Sequence, residues 1–363
     1  MGCKISASIP SPGLMKSAVI LANPSTGYMV GGAENQLIQL GAELSAVGKE
    51  VTVIGFIDHV PSNDPFDYRK IAGNWARPLA WLRLFQTLLE LRPDVFVTRV
   101  LNPLLPIYGL ICRLLGIKLY YFCAHDWELE SRPDKRINGW RWRSFWLGIQ
   151  FVDKLFVQNK FQLSGFKRLL WSGKSRVKII RNIPLMRPAE RMEPHDDVFI
   201  WIGSYRPHKR PEWVIEIAKA LPHHNFEVVV DVKHRTKVAE LFQNAAETIP
   251  NFSYMPGASR EELFEVYRRA KAVLITSEGE GFPNVAIEAW SQGRSVISTV
   301  NNALLDFEQG DSVTIAEDLH AFIKAIQDTP SDDWSANGAF ALKMFQQEFQ
   351  TEKIIKQLLS YSA

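Results

Sequence analysis

Cysteine is scarce in this 363-residue chain: Cys3, Cys112 and Cys123 occur, with no C-x-x-C spacing. The odd count and the spacing argue against a disulfide framework or a cysteine zinc site, and they suit a reducing, cytoplasmic compartment. Long apolar runs are missing too. The longest, Pro103 to Ala124, is interrupted by Arg113 and Lys118 and split by Gly116, which makes it a poor membrane span. No secretory signal precedes it. The opening Met1-Gly2-Cys3-Lys4-Ile5-Ser6 formally fits a myristoylation pattern, but one short enough to arise by chance. A second start-like run at Met15 leads straight into the first strand, so residues 1–14 read as a loose, flexible extension.

Several enzyme signatures are absent as well. There is no G-x-G-x-x-G, no G-x-x-x-x-G-K-[ST], no G-x-S-x-G and no H-E-x-x-H. These absences disfavour a nicotinamide dehydrogenase, a P-loop enzyme, a serine hydrolase and a zinc protease. No D-x-D occurs, so no divalent metal is expected. Internal repeats and low-complexity tracts are missing. Hydrophobic residues at 46% with 22% charged exclude a disordered or fibrous chain.

What is present is alternation. Ser17–Ala22 reads as a strand, Gly31-Gly32-Ala33-Glu34 opens a helix that runs to Val47, and Val51–Phe56 is the next strand. Helices at 79–91, 104–115, 140–149 and 161–171 alternate with strands at 94–98, 118–123, 154–157 and 177–180. Residues 183–197, with Pro184, Pro188 and Pro194, break the pattern and read as a linker. Alternation then restarts, with strands at 198–202, 226–231, 252–255, 272–276 and 295–298. The length suits two domains at roughly 100–200 residues each. The expected division is an N-terminal Rossmann-like domain at 15–182, a second at 198–345, and a C-terminal helix at 346–363. Two doubly wound α/β domains of this kind face each other across a cleft at their strand C-terminal edges, where such folds bind ligands.

Charge is uneven. Between Arg132 and Arg181 there are 13 Lys/Arg against Asp134 and Asp153, a net of +11, in a chain whose total is +3. Within this stretch Arg132, Lys135, Arg136, Arg141, Arg143, Lys167 and Arg168 interleave with Trp140, Trp142, Trp146 and Trp171. Basic residues among tryptophans suit an anionic membrane surface. They would equally suit a solvated basic face with some of the tryptophans in the core. No recognised nucleic-acid module accompanies them.

Four constellations sit at strand ends. In Ser277-Glu278-Gly279-Glu280-Gly281-Phe282-Pro283-Asn284-Val285-Ala286-Ile287-Glu288, a strand leads through glycines into a helix beginning near Pro283. The N–H groups around Gly281, Asn284 and Val285 would face a phosphate or developing anion. Glu280 could accept bonds from sugar hydroxyls, and Glu288 from ribose hydroxyls. The same two glutamates would also fit a surface helix whose acids complement its dipole. In Gly203-Ser204-Tyr205-Arg206-Pro207-His208-Lys209, the cations Arg206 and Lys209 could compensate a leaving diphosphate, or merely form a basic capping loop. Gly31 and Gly32 permit close backbone approach, or a plain turn. His125 could bond a substrate hydroxyl or share a proton, though a lone histidine is often structural.

Together these pieces resemble the retaining glycosyltransferases of family 4, which have the GT-B fold. The resemblance runs from Ser17 to the C-terminal helix and rests on the glycine loop at Gly31-Gly32, His125, Asn182 at the domain crossover, Lys209, and the paired Glu280 and Glu288 with seven residues between them. It implies a donor site with Glu280, His125, Lys209 and Arg206 at the reacting centre. Gly31, Gly32, Gly203, Gly281, Phe282, Asn284, Val285 and Glu288 would lie around the nucleotide sugar. One departure is Ser204, where the family often has arginine; Arg206 stands two residues on. The implied activity is metal-independent, retaining transfer of a hexose-type unit from a nucleoside-diphosphate sugar to a glycan or lipid-linked acceptor. It needs no cofactor, and its setting would be bacterial polysaccharide or glycolipid synthesis at the inner face of the cytoplasmic membrane. A catalytically silent partner subunit and a nucleotide-sugar epimerase are the competing readings.

Overall fold

The computed structural model describes residues 15–22, 32–55, 65–71, 78–129, 139–191, 195–231, 236–307 and 311–362. The expected extension 1–14, Gly31, and the basic residues Arg132, Lys135 and Arg136 lie outside them.

The first half contains β1 (Ser17–Leu21), α1 (Gly32–Ala46), β2 (Glu50–Gly55), β3 (Asp67–Lys70), α2 (Pro78–Leu91), β4 (Val95–Arg99), α3 (Leu105–Leu115), β5 (Lys118–Phe122), α4 (Gly139–Ile149), β6 (Lys154–Val157), α5 (Lys160–Leu169) and β7 (Val177–Ile179). The second contains β8 (Val198–Ser204), α6 (Trp213–Ala220), β9 (Asn225–Asp231), α7 (Thr236–Thr248), β10 (Phe252–Met255), α8 (Arg260–Arg269), β11 (Ala272–Ile275), α9 (Asn284–Ser291), β12 (Ser295–Ser298), α10 (Asn302–Leu305), β13 (Val313–Ile315), α11 (Leu319–Asp328), α12 (Ser331–Glu348) and α13 (Thr351–Ser360).

The strands form two parallel sheets, ordered β3-β2-β1-β4-β5-β6-β7 and β10-β9-β8-β11-β12-β13. Their central strands are apolar runs because helices cover both faces. Val95, Phe96 and Val97 of β4 are buried, as are Val198 to Ile202 of β8. The strand order reverses between β1 and β4 in one sheet and between β8 and β11 in the other. At such reversal points the flanking loops diverge and leave a crevice at the strand C-terminal ends. The loops after β8 and β11 are those that carry Arg206, Lys209 and Glu280.

Three elements depart from the expected pattern. β3 is an additional edge strand. Its sequence, Asp67-Tyr68-Arg69-Lys70, is polar and exposed apart from Tyr68, so it carries no apolar run. β13 is a short edge strand of the second sheet, also unforeseen. The C-terminal helical segment is two helices, broken at Phe349–Gln350. α12 buries Ala341, Met344 and Phe345 against Trp290 in the second domain. α13 crosses over and buries Ile354, Ile355, Leu358 and Leu359 against Leu37 and Leu40 of α1.

Candidate active site

Two loops of the second domain build one wall. After β8 the chain makes a one-turn 3-10 helix, Pro207–Lys209, and Arg210 then adopts a left-handed conformation. The α-helix itself starts at Trp213. Thr276, at the end of β11, locks this turn. Its hydroxyl donates to the Lys209 carbonyl at 2.6 Å and accepts from the Trp201 indole at 3.0 Å. The Glu278 N–H donates to the His208 carbonyl at 2.7 Å, and Arg210 pairs with the Glu278 carboxylate.

The two loops therefore move as one, and Lys209 Nζ is held 3.5 Å from Glu280 Oε1. Burial alone would raise the Glu280 carboxyl. The Lys209 charge and a hydrogen bond from Ser277 help to hold it below its ordinary value. An ionised carboxylate beside an ammonium is thus fixed at the β8–β11 reversal point. Arg206 lies exposed on the same loop, and its charge reaches His125 and His208.

Helix α9 starts at Asn284, with Pro283 as its N-cap instead of its first residue. Gly281 precedes it in a position that excludes any side chain. A Cβ there would stand 2.1 Å from the Ala124 carbonyl oxygen of the other domain. Phe282 and Val285 do not line the cleft with their side chains. The Phe282 ring is buried among Trp290, Phe307 and Phe349, and Val285 packs on the same core. That leaves their backbones to face the cleft, the part of both residues on which the expected contacts rest. Gly203 is buried as well, tight against the Trp201 ring. Glu288, one turn further along α9, accepts a 2.6 Å bond from the Tyr267 hydroxyl. Burial pushes its carboxyl up to about 7.

The first domain supplies the opposite wall. His125 follows β5 in extended conformation, and its ring stacks on Trp127 at 4.9 Å with 8° between the planes. Burial lowers the basicity of His125, with Glu280 acting in the other direction. Below it Glu128 is buried and accepts from the Tyr121 hydroxyl at 2.7 Å and from the backbone N–H of Ala124 and His125 at 2.9 and 3.3 Å. Burial raises its carboxyl too. Asp126 accepts from Asn159 and Gln162 of its own domain and from Asn302 of the other at 2.8 Å. The sequence pairs Asp126 with His125 at the end of β5, but motif reading passed over Glu128 and Trp127 because no single spacing marks them. Their proximity to His125 was the available signal.

Asn182 joins the walls at the crossover. Its amide nitrogen donates to Asn284 Oδ1 at 2.8 Å, while Arg99 and Gln158 each donate to its oxygen at 3.2 Å. Asn284 in turn donates to the Gly32 carbonyl at 3.4 Å, and a Cβ on Gly32 would meet the Asn284 amide at 3.1 Å. The first residue of α1 and the start of α9 therefore face each other. His125, Glu280 and Lys209 meet across one cleft, with Glu288 on the neighbouring helix face. A carboxylate, a fixed cation and a weakly basic imidazole together can bind hydroxyls and a leaving anion.

Comparison with known proteins agrees with this geometry. Residues 196–332 match the family described as Glycosyl transferases group 1. A D-inositol 3-phosphate glycosyltransferase of Mycobacterium sp. (strain KMS) is 25% identical over 171 residues, covering 43% of this chain and 39% of that protein. The match thus spans well under half the length of that relative. Sucrose-phosphate synthase from Thermosynechococcus elongatus superposes with a TM-score of 0.75 at 16% identity, covering 94% of this chain and 97% of that one. Anabaena HepE, in complex with UDP and glucose, gives a TM-score of 0.74 at 14% identity, covering 94% and 98%. The fold is GT-B: two Rossmann-like domains with parallel sheets facing a cleft.

Proposed function

Taking the chain as a group 1 glycosyl transferase with the GT-B fold, we propose that it moves a hexose-type sugar, with retention of configuration, from a nucleoside-diphosphate sugar to a glycan or lipid-linked acceptor. The observation that carries this reading is the Lys209–Glu280 pair, held at 3.5 Å by interlocked loops and faced by His125 from the other domain.

In this scheme the ionised Glu280 accepts hydrogen bonds from donor-sugar hydroxyls. Lys209 and Arg206 compensate the leaving diphosphate, so no divalent cation and no cofactor are needed. The backbone around Gly281, Asn284 and Val285, with the positive end of α9 behind it, receives phosphate oxygens. Glu288 holds ribose hydroxyls, and Gly32, without a side chain, leaves room for the sugar at the start of α1. Among the described residues no carboxylate is placed as a covalent nucleophile. The acceptor hydroxyl therefore attacks from the face of the departing diphosphate, whose oxygen takes the hydroxyl proton as the glycosidic bond breaks. HepE, which binds UDP and glucose, favours UDP-glucose as the first donor to try.

The acceptor side would dock on an anionic membrane surface, with a role in bacterial polysaccharide or glycolipid synthesis. Supporting this, Leu110 and Leu114 of α3, Trp140 of α4 and Trp171 are exposed, Trp171 at 78%, and Arg141 and Arg143 follow Trp140 in the chain. Among the described residues no helix is long and apolar enough to cross a membrane.

The test is thermal unfolding of the protein against UDP-, GDP- and ADP-sugars, followed by turnover of the stabilising donor in EDTA. A donor that binds only the folded state raises the midpoint. Glu280→Ala is expected to abolish transfer. Wild-type turnover by that variant would sink the assignment.

A further inference from the structure

The cleft holds one more imidazole than the family resemblance accounts for. His208 lies in the 3-10 turn that ends at Lys209, and its carbonyl is tied to the Glu280 loop through the Glu278 N–H. From this base its ring meets Trp127 of the opposite domain edge-on at 5.2 Å. His125 stacks on the same indole. Two imidazoles, one from each domain, therefore contact one indole beside the Lys209–Glu280 pair.

In both rings Nδ1 is buried and has no hydrogen-bond partner. A buried polar nitrogen left unpaired is uncommon and costly. Two of them in one cleft, each facing the charges of Glu280, Lys209 and Arg206, mark hydrogen-bonding capacity provided for something outside the chain.

The electrostatics narrow what that is. Burial is the main influence on His208; with help from Lys209, His125 and Arg206, and against Glu280, it brings the ring down to about 4. The imidazole is neutral at pH 7. A neutral imidazole has one donor and one acceptor nitrogen, and so does the partner it suits best, a hydroxyl. A phosphate offers acceptors alone and is better served by Lys209 and Arg206.

We infer that His208 contacts a hydroxyl of the transferred sugar, on the side of Trp127 away from the His125 wall, and helps set which donor sugar is turned over. This rests on the glycosyl-transfer reading above.

The test uses the full chain and the nucleotide sugar that the wild type turns over best in the UDP, GDP and ADP panel, together with its mono-deoxy analogues. His208→Phe keeps an aromatic edge against Trp127 and removes the nitrogens, whereas His208→Asn restores a short polar group. With His208→Phe, affinity for the nucleoside diphosphate alone should stay within about twofold, while kcat/KM for the full donor falls roughly tenfold to a hundredfold. One deoxy analogue, lacking the contacted hydroxyl, should be used about equally by wild type and variant. His208→Asn should recover much of the loss. A His208→Phe enzyme that matches wild type, or that loses rate equally on every analogue, overturns the inference, because a purely structural role gives those results. If the wild type turns over none of the nucleotide sugars, the glycosyl-transfer reading itself fails and takes this inference with it. An active wild type with an unaffected His208→Phe variant removes the inference alone.

Discussion

Gly281 and Ala124 belong to different domains, yet a Cβ on Gly281 would lie 2.1 Å from the Ala124 carbonyl oxygen and 2.5 Å from Gln158 Oε1. The Asn159 side chain donates to the Gly281 carbonyl at 3.1 Å on the same contact. The closed cleft is therefore possible only with glycine at this position. Gly281→Ala should keep both domains folded but prevent full closure. We expect kcat/KM to fall about a hundredfold, as loss of catalytic positioning does. Steady-state turnover checks this, with small-angle scattering as a measure of opening. Wild-type kinetics in the variant would show that the closed arrangement is not the working one.

Lys209 is the cation whose place is most firmly fixed, through its backbone bond to Thr276. Lys209→Ala should reduce kcat by about 10²–10³, the usual cost of losing one group that stabilises developing charge. Thr276→Val, which frees the turn without touching the charge, should give a smaller loss. The order of the two effects in initial-rate measurements is the check. A larger loss from Thr276→Val would shift the emphasis from charge to loop architecture.

Glu288 gives a pH dependence with a definite sign. Burial holds its carboxyl at about 7 in the folded chain, against an ordinary value of 4.5. A raised folded value means that the folded state holds the proton more tightly. The stability it contributes is complete below about 4.5 and is lost as pH rises to 7. Glu288→Gln stays neutral throughout. The unfolding free energy of the variant, from denaturant titration, should gain on wild type between pH 4.5 and 7, by about 3 kcal/mol. Parallel curves for the two proteins would contradict the buried setting of this carboxyl.

Glu128 satisfies three donors around the His125 loop. Glu128→Ala leaves them unpaired and should cost about 2–4 kcal/mol in denaturant unfolding. Donor affinity should weaken with it, since His125 loses its support. If stability falls while donor affinity holds, His125 is positioned by something else, for example its stacking on Trp127.

For the membrane half of the proposed function, Leu114→Gln combined with Trp140→Ala should weaken binding to phosphatidylglycerol vesicles by about tenfold. The remaining binding should fall further with salt, because the basic residues then act alone. Sedimentation of protein with vesicles measures both. Salt-insensitive binding, or none by the wild type, would remove the membrane from the scheme.

Much of this was legible in the sequence, and the exceptions have physical reasons. Parallel strands buried on both faces are apolar runs, so β1, β4, β8 and β11 announced themselves. Strand β3 did not, because an edge strand needs backbone pairing more than apolar side chains. Glu280, Lys209 and His125 were visible because each sits where a strand ends in a turn. The burial of the Phe282 ring among Trp290, Phe307 and Phe349 was not legible, because nearness to a glycine loop says nothing about which way a ring points. Asp126 and Asn302 were invisible as partners: 176 residues separate them, and only folding brings them to 2.8 Å. His208 was hidden in the shadow of Lys209, its importance depending on an indole from the other domain.

The break at Phe349–Gln350 has a mechanical meaning. Phe349 is anchored in the core of the second domain, and Ile354 in that of the first. The chain thus joins the two bodies at two places, here and through residues 180–197. A body attached at one point can swivel freely; attached at two, it swings about the line between them. Any opening of the cleft would then be a rotation about a single axis, parting Gly281 from Ala124 and His208 from Trp127 along one arc.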